Sequence, residues 1–500
     1  MSRSSLKGLA DLRKPHEWWP LARLNSRKIY YHMGPTNSGK TFEAMEKLKK
    51  AKSGVYCGPL RLLAGEVFEK LNAAGVPCSL VTGQESIKIP GAKHTACTIE
   101  TADLESKYDC AIIDEIQMIA DKERGSSWTN ALLGLCADEL HLTGDNRAKS
   151  LVSKISKDTC EKVSFQTYKR LSKLQVEEPI NSLSELKAGD CIVAFSRKTC
   201  HLLKRYLEKH CKGSCSIIYG NLPPETRREQ ARKFNEREDS CYLVATDAVG
   251  MGLNFNIDRI IFFEVEKHDG RAVRELFPQE IRQIAGRAGR YKTPGKVTAC
   301  SEHEVNLIKK ALEQPETFQI PKGAIFPSFE QISTFANDYI EQAGNKTYSQ
   351  ILQEFAYLAS VEGKYFLQNI EEACFISDHL KKFRLPLIDA YTFAHAPVRL
   401  GIPQCMASLK SFAKELMRYG EVKLKHEELS SNLSLERLES TYFVLELYLW
   451  LAKKYEMGVF TDSEEALFNM MQCTKLIQEK IDQMSLEELQ ERRKRRRRKF

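Results

Sequence analysis

Lys40 and Thr41 end the octapeptide GPTNSGKT (34–41), the first stretch of this 500-residue chain whose residue types and spacing could do chemistry. The pattern is G-x-x-x-x-G-K-[ST]. Its glycines, Gly34 and Gly39, let the backbone wrap closely around phosphates with amide N–H groups pointing inward. Pro35, Thr36, Asn37 and Ser38 complete the cradle, and the helix that follows adds the positive end of its dipole. Lys40 would reach the β- and γ-phosphates of a nucleoside triphosphate, and Thr41 would ligate Mg²⁺. An apolar run (KIYYHM) precedes the loop and a run with helical spacing (FEAMEKLKK) follows it, the strand–loop–helix order that the motif requires.

About 75 residues on, CAIIDEIQM ends an apolar run in two adjacent carboxylates. The chain turns where a strand ends, so both can face one cleft. Asp114 would hold Mg²⁺ through water, and Glu115 would polarise the attacking water as general base. A third element, QIAGRAGR (283–290), lies over 240 residues from Lys40. On a helix Arg287 and Arg290 would share a face, and Gly286 and Gly289 would keep that face low. Two guanidiniums could then approach a γ-phosphate, where an arginine finger contributes about 10³–10⁵ in rate. The same residues also suit a basic patch on a nucleic-acid backbone or a structural ion pair. If they complete the nucleotide site, that site lies between two domains, and hydrolysis moves one against the other.

The elements that must position these groups are legible in outline. The strand candidates KIYYHM, GVYCGPL, CSLVTG, HTACTI, CAIIDEI and ELHLTGD alternate with helical stretches, and the pattern repeats in DCIVAFSR, CSIIYG, CYLVATD, RIIFFEV and KVTAC. Such alternation predicts α/β domains with parallel, doubly wound sheets. The expected organisation is an N-terminal extension over 1–25, α/β domains over 26–175 and 176–312, an all-helical region over 313–485, and a basic tail over 486–500. Between RIIFFEV and QIAGRAGR, Asp269-Gly270 signals a turn and a short hairpin. The LELYLWL stripe (445–451) reads as a helix buried in its own core rather than as a partner's dock.

Composition excludes several classes. Apolar content of 42% and charged content of 28% describe an ordinary globular chain, and no apolar run is long enough to span a bilayer. The 15 cysteines are scattered through strand-like runs, as expected of buried residues in a reducing compartment. Cys200, His201, His210, Cys211 and Cys215 lack paired C-x2-C knuckles and predict no metal site. Net charge is +9, but RRKRRRRK (492–499) alone carries eight positives, which leaves about +1 for the rest. That tail reads as disordered. It suits non-specific RNA binding, an acidic partner, a nuclear signal, or a solvated terminus.

GPTNSGKT, DEIQM, VATDAVGMGLNFNI and QIAGRAGR together resemble a superfamily 2 helicase with two tandem RecA-like domains. HEWWPLAR, YCGPLRLLAGEVFEK, VTGQE, DEIQMIAD, ALLGL, YGNLPPETRREQ and LYLWLAKKYE narrow the resemblance to the Suv3 RNA helicases, from about residue 14 to about 455. The resemblance implies an ATP-dependent, 3′ to 5′ RNA unwindase, with ATP and Mg²⁺ as cofactors. It also implies a 3′ exoribonuclease as partner in mitochondrial RNA decay. It places Thr246 on an RNA phosphate, Asp247 and Gly250 near the nucleotide, and Gln283 beside the attacking water or γ-phosphate. It sets Arg61, Thr82, Gly83, Thr98, Ser196 and Arg197 along the RNA strand, where phosphate contacts position without reading sequence. Departures are Gln117 as fourth residue of the acidic motif, in line with Suv3, and the lack of an evident upstream adenine-reading glutamine. The N-terminal extension of a mitochondrial member reads as short or missing. A DNA or hybrid helicase and a nucleotide-switched RNA-binding scaffold for a nuclease stay open as rivals.

Overall fold

The computed structural model describes residues 3–497 apart from 171, 212, 238–239, 251, 253, 269–271, 290–292 and 315–317. α1 (Arg3–Leu9) and α2 (Pro20–Leu24) lead into β1 (Lys28–Met33), α3 (Lys40–Lys50), β2 (Gly54–Gly58), α4 (Arg61–Ala73), β3 (Cys78–Val81), β4 (Ser86–Ile87) and β5 (His94–Thr98). β6 (Lys107–Ile113), α5 (Gly125–Gly134), β7 (Cys136–Gly144), α6 (Lys149–Asp158) and β8 (Val163–Thr167) complete the first block. Its eight strands form one sheet in the order β4-β3-β5-β2-β6-β7-β1-β8, in which only the short β4 runs antiparallel to its neighbour. β2 and most of β6 are buried, which explains why they read as continuous apolar runs rather than alternating ones.

The chain crosses to the second sheet at 168–173, a few residues before the expected 175. β9 (Leu174–Val176) is already an edge strand there. β10 (Asp190–Val193), α7 (Arg197–His210), β11 (Ser214–Ile218), α8 (Pro224–Glu236), β12 (Ser240–Ala245) and β13 (Arg259–Phe262) follow. β14 (Glu266–His268) and β15 (Val273–Glu275) pair antiparallel as the expected hairpin. Its Asp269-Gly270 turn lies outside the described residues. α9 (Pro278–Ala285), β16 (Gly295–Ala299) and α10 (Glu302–Glu313) close the block, whose six-stranded sheet has the all-parallel order β11-β12-β10-β13-β16-β9.

Beyond it the chain is mostly helical but not wholly so. β17 (Gly323–Ile325) and β18 (Tyr365–Leu367) form a small parallel pair that the apolar pattern hid, because three buried residues carry no readable period. α11 (Phe329–Ala343), α12 (Tyr348–Leu358), α13 (Glu371–Leu380) and α14 (Leu387–Ala394) largely share one core with the first sheet through Phe335, Phe355 and Tyr365. α15 (Pro403–Tyr419), α16 (Leu435–Ala452) and α17 (Ser463–Arg497) share another with a face of the second sheet through Phe412, Tyr448 and Ile477. The LELYLWL stripe is indeed mostly buried there. α17 corrects the reading of the tail as disordered. It carries helix to Arg497, and Leu, Glu, Gln and Arg, which dominate its last turns, are strong helix formers. Among the described residues no helix is long and apolar enough to cross a membrane, and none of the fifteen cysteines is in a disulfide.

β1 and β7 bring two histidines together beneath the first loop. His32 Nε2 lies 2.9 Å from His141 Nδ1, and His32 Nδ1 lies 2.7 Å from the Tyr168 hydroxyl. Burial, and then the neighbouring His141, push His32 down to about 4, while burial also lowers His141. An unfolded histidine titrates near 6.5, so between these values the unfolded chain takes up protons that the fold refuses. This contribution to stability is intact above that window and falls as pH drops through it. Thermal melts from pH about 7.5 to about 5 should show this loss, and His32→Gln should flatten the slope. An unchanged slope in the variant would assign the loss elsewhere.

Candidate functional site

A cavity of ≈ 760 Å³ opens at the C-terminal edge of the first sheet, lined by residues 35–41, Asp114 and Glu115 on one side and by Gly252, Asn254 and Arg287 of the second block on the other. The volume suits a nucleotide-sized ligand. Tight backbone builds its floor. A Cβ on Gly34 would sit 2.7 Å from Ser38 Oγ and 2.9 Å from the Tyr168 carbonyl oxygen, so only glycine fits. Gly39 turns into α3 with φ +85°. Lys40 Nζ donates to the Gly34 carbonyl at 2.9 Å, which folds the side chain back over the loop.

The carboxylates are held by hydroxyls from two other strands, β2 and β7, and by the acidic motif's own Gln117. Asp114 accepts from the Tyr56 hydroxyl at 2.8 Å and from the Thr143 hydroxyl. Burial, then adjacent Glu115, push its carboxyl up, against Thr143, Tyr56 and Lys40. Glu115 sits at φ 54°, a left-handed backbone that turns it away from the strand direction, and its carboxylate accepts from the Gln117 amide. The Gln117 carbonyl oxygen accepts from Asp145 N–H at 3.2 Å, so this side chain ties Glu115 to the end of β7.

On the facing side Arg287 donates twice to the Gly250 carbonyl, at 3.1 Å from Nε and 2.8 Å from Nη2. Burial lowers its pKa, and Glu115 and Asp114 oppose that shift across the cleft. The helix expected to carry both arginines ends at Ala285, so Arg287 stands in a turn. Gly289, at φ +76°, follows in a conformation that a helix excludes. Arg290 lies outside the described residues. Gln283 is half-buried on α9 against Gly250 and does not line the cavity. Asp247 is exposed, 3.1 Å from Lys267 of β14. Thr246 is buried, its hydroxyl accepting from Ala248 N–H at 3.3 Å.

Two residues that sequence reasoning left without a cross-cleft role join the blocks here. Asn37 (φ 59°) donates to the carbonyls of Gly286 and Gly289, both at 3.1 Å. Arg170, between the sheets, donates to Thr36 O at 3.2 Å, to Gly286 O at 2.6 Å and to Ala288 O. No motif flags Arg170. The only signal is a long cation placed where the first sheet ends.

Four family models cover most of the chain: the DEXQ-box helicase domain of Suv3 (15–168), the helicase conserved C-terminal domain (171–292), Suv3 C-terminal domain 1 (375–416) and the ATP-dependent RNA helicase SUV3 C-terminal domain (435–483). The mitochondrial ATP-dependent RNA helicase SUV3 of Oryza sativa subsp. japonica is 43% identical over 95% of this chain and 83% of its own length. The chain belongs to the Suv3 helicase family.

Other Suv3 relatives agree. The mitochondrial helicase DExH16 of Arabidopsis thaliana is 42% identical over 94% of this chain and 84% of its own, and SUPV3L1 of Homo sapiens is 41% identical over 92% of this chain and 61% of its own. Likeness to the solved structure of Escherichia coli HrpB is loose (TM-score 0.49, 11% identity, 91% of this chain and 62% of that one). The Suv3 DEXQ box falls on Asp114, Glu115, Ile116 and Gln117. The residues expected along the RNA strand lie at or just beyond the ends of β2, β3, β5 and β10. Thr82 and Thr98 are buried. The Thr82 hydroxyl accepts from the Gln84 and Glu85 N–H groups, and the Thr98 hydroxyl lies 3.1 Å from that of Thr101. Ser196 caps α7 by accepting from Thr199 N–H at 2.9 Å. Gly83 faces Trp450, Arg61 pairs with Glu446, and Arg197 Nη1 lies 2.9 Å from Glu439 Oε2.

Proposed function

We propose that this chain is an ATP-dependent RNA helicase of mitochondria that moves 3′ to 5′ and unwinds structured RNA for a 3′ exoribonuclease. The observation that carries the motor reading is the cavity shared by Lys40 and Arg287, two cations from different sheets around one space. Water attacks the γ-phosphorus, the bond to the bridging β–γ oxygen breaks, and ADP and phosphate leave. Glu115 takes the proton of the attacking water, and Lys40 and Arg287 stabilise the charge on the transferred group. Thr41 and Asp114 are the oxygen donors that suit Mg²⁺, which when bound neutralises β- and γ-phosphate charge. Nucleotide in the cavity draws the sheets together through Arg287, and its loss releases them. The names of the relatives support RNA as substrate and mitochondria as location.

Hydrolysis stimulated by matched RNA and DNA oligomers at fixed salt tests the substrate. RNA should stimulate strongly and DNA weakly. Equal stimulation would favour a hybrid or DNA helicase, and none a switched scaffold.

The hairpin is clamped at its base. Lys267 meets Asp247 at 3.1 Å and Glu280 at 2.6 Å, and Arg274 meets Glu280 at 2.8 Å. Burial works against ionisation of Glu280, but Arg274 and Lys267 hold its carboxyl down to about 2. A hairpin whose strands are clamped in this way suits parting a duplex. Replacing 267–275 by a Gly/Ser turn should reduce unwinding about tenfold or more, with a much smaller loss of RNA-stimulated hydrolysis. Equal loss of both would remove the role.

A further inference from the structure

We propose that Glu446 and Glu439 of α16 are positioning residues for RNA. Each buried carboxylate holds one guanidinium at the RNA path: Arg61 of the first α/β block and Arg197 of the second. This rests on the RNA path read from the Suv3 resemblance.

The two glutamates are seven residues apart, two turns of one helix, so they share a face about 10 Å long. That face also carries Trp450, whose ring lies 3.6 Å from where a Cβ of Gly83 would be. One rigid element thus meets path positions of both blocks. The exposures are unequal in an informative way. The side chains of Glu446 and Glu439 are 6% and 2% exposed, those of Arg61 and Arg197 26% and 32%. Each acid lies beneath a guanidinium that is itself partly exposed. Arg61 Nη1, itself buried, has no acceptor among the described residues. Glu439 is fixed further by the Tyr219 hydroxyl, which donates to Oε1 at 2.5 Å, while Arg197 lies over the Tyr219 ring at 5.6 Å from its centroid.

Both arginines open helices, α4 and α7, directly after parallel strands. A cation at a helix N-terminus opposes the helix dipole, whereas an anion there is favoured. Such placement makes sense only if anions gather at these ends. The α16 carboxylates supply one at each, and the exposed side of each guanidinium is left for a phosphate. The alternative, a latch that RNA displaces, fails on magnitude. Pulling Arg61 away leaves Glu446 an unpaired buried carboxylate, which costs more than one exposed phosphate contact returns. RNA therefore adds to that pair rather than replacing it.

The test uses the full chain and a single-stranded RNA oligomer, with affinity measured by anisotropy over a range of salt. R61A and R197A should each lower the slope of log affinity against log salt by about 0.7. E446Q and E439Q should weaken binding about tenfold and lower the slope by a similar amount, because the freed guanidinium leaves the path. E446D should restore part of both, at an unchanged melting temperature. A purely structural role would weaken binding without touching the slope. Wild-type slopes in E446Q and E439Q alongside lowered slopes in R61A and R197A would overturn the proposal. So would tighter RNA binding, the signature of a latch. Wild-type slopes in R61A and R197A would instead sink the RNA path itself, and the proposal with it.

Discussion

Arg287→Ala is expected to lower RNA-stimulated ATP turnover by about a thousandfold while leaving nucleotide affinity nearly intact. Arg287 belongs to the second block yet lines the cavity built by the first. Its guanidinium is anchored through Nε and Nη2 on the Gly250 carbonyl, which leaves Nη1 for the nucleotide side. A cation held in a water-poor cleft stabilises charge that develops on the transferred phosphoryl group more than charge already present in bound ATP, so turnover suffers and binding does not. Arg287→Lys should not rescue, since an ammonium cannot hold Gly250 and reach the phosphate together. The check is steady-state turnover at saturating RNA beside binding of a fluorescent nucleotide. A loss below about tenfold would move the finger role to Arg290.

Lys40→Ala should abolish measurable hydrolysis, a loss of about 10³ or more, and weaken nucleotide binding as well, because this charge serves ground and transition states alike. Lys40 already lies across the loop on Gly34 O at 2.9 Å, so little ordering cost remains when phosphates arrive. RNA binding without nucleotide should persist, since the proposed path residues lie on other loops. Turnover equal to wild type in this variant would remove the assignment of the loop. Read together, the two variants separate binding from chemistry. Lys40→Ala should fail at both, Arg287→Ala at the second only.

The local signals were strong where one segment contains its own explanation. GPTNSGKT needs only a strand before it and a helix after it, and β1 and α3 supply them. DEIQ sits at the end of a buried strand because apolar β6 must lie inside the sheet. The hairpin was legible because a turn pair between short runs closes locally, as β14 and β15 do. The signals failed where period or partner was missing. β17 and β18 are too short to show alternation. In QIAGRAGR the helical spacing does not carry past Ala285, and Gly289 stands at φ +76°, which a helix excludes. The tail's charge masks its helix propensity, and α17 runs on to Arg497.

By itself the sequence determined the two α/β blocks, the phosphate loop, the paired carboxylates and the arginine motif, because strand order, loop chemistry and charge are properties of contiguous residues. It also carried the family, through strings spread from the first block to α16. Only the tertiary structure decided which distant groups meet. Arg170 and Asn37 clasp the carbonyls around Gly286, Gln117 ties Glu115 to Asp145 at the end of β7, and two glutamates on α16 reach arginines more than two hundred residues away in each block. Such pairs leave no periodic trace. A guanidinium on a backbone carbonyl or a buried acid makes no demand on its neighbours in the chain, so its partner exists only once the sheets and helices have packed.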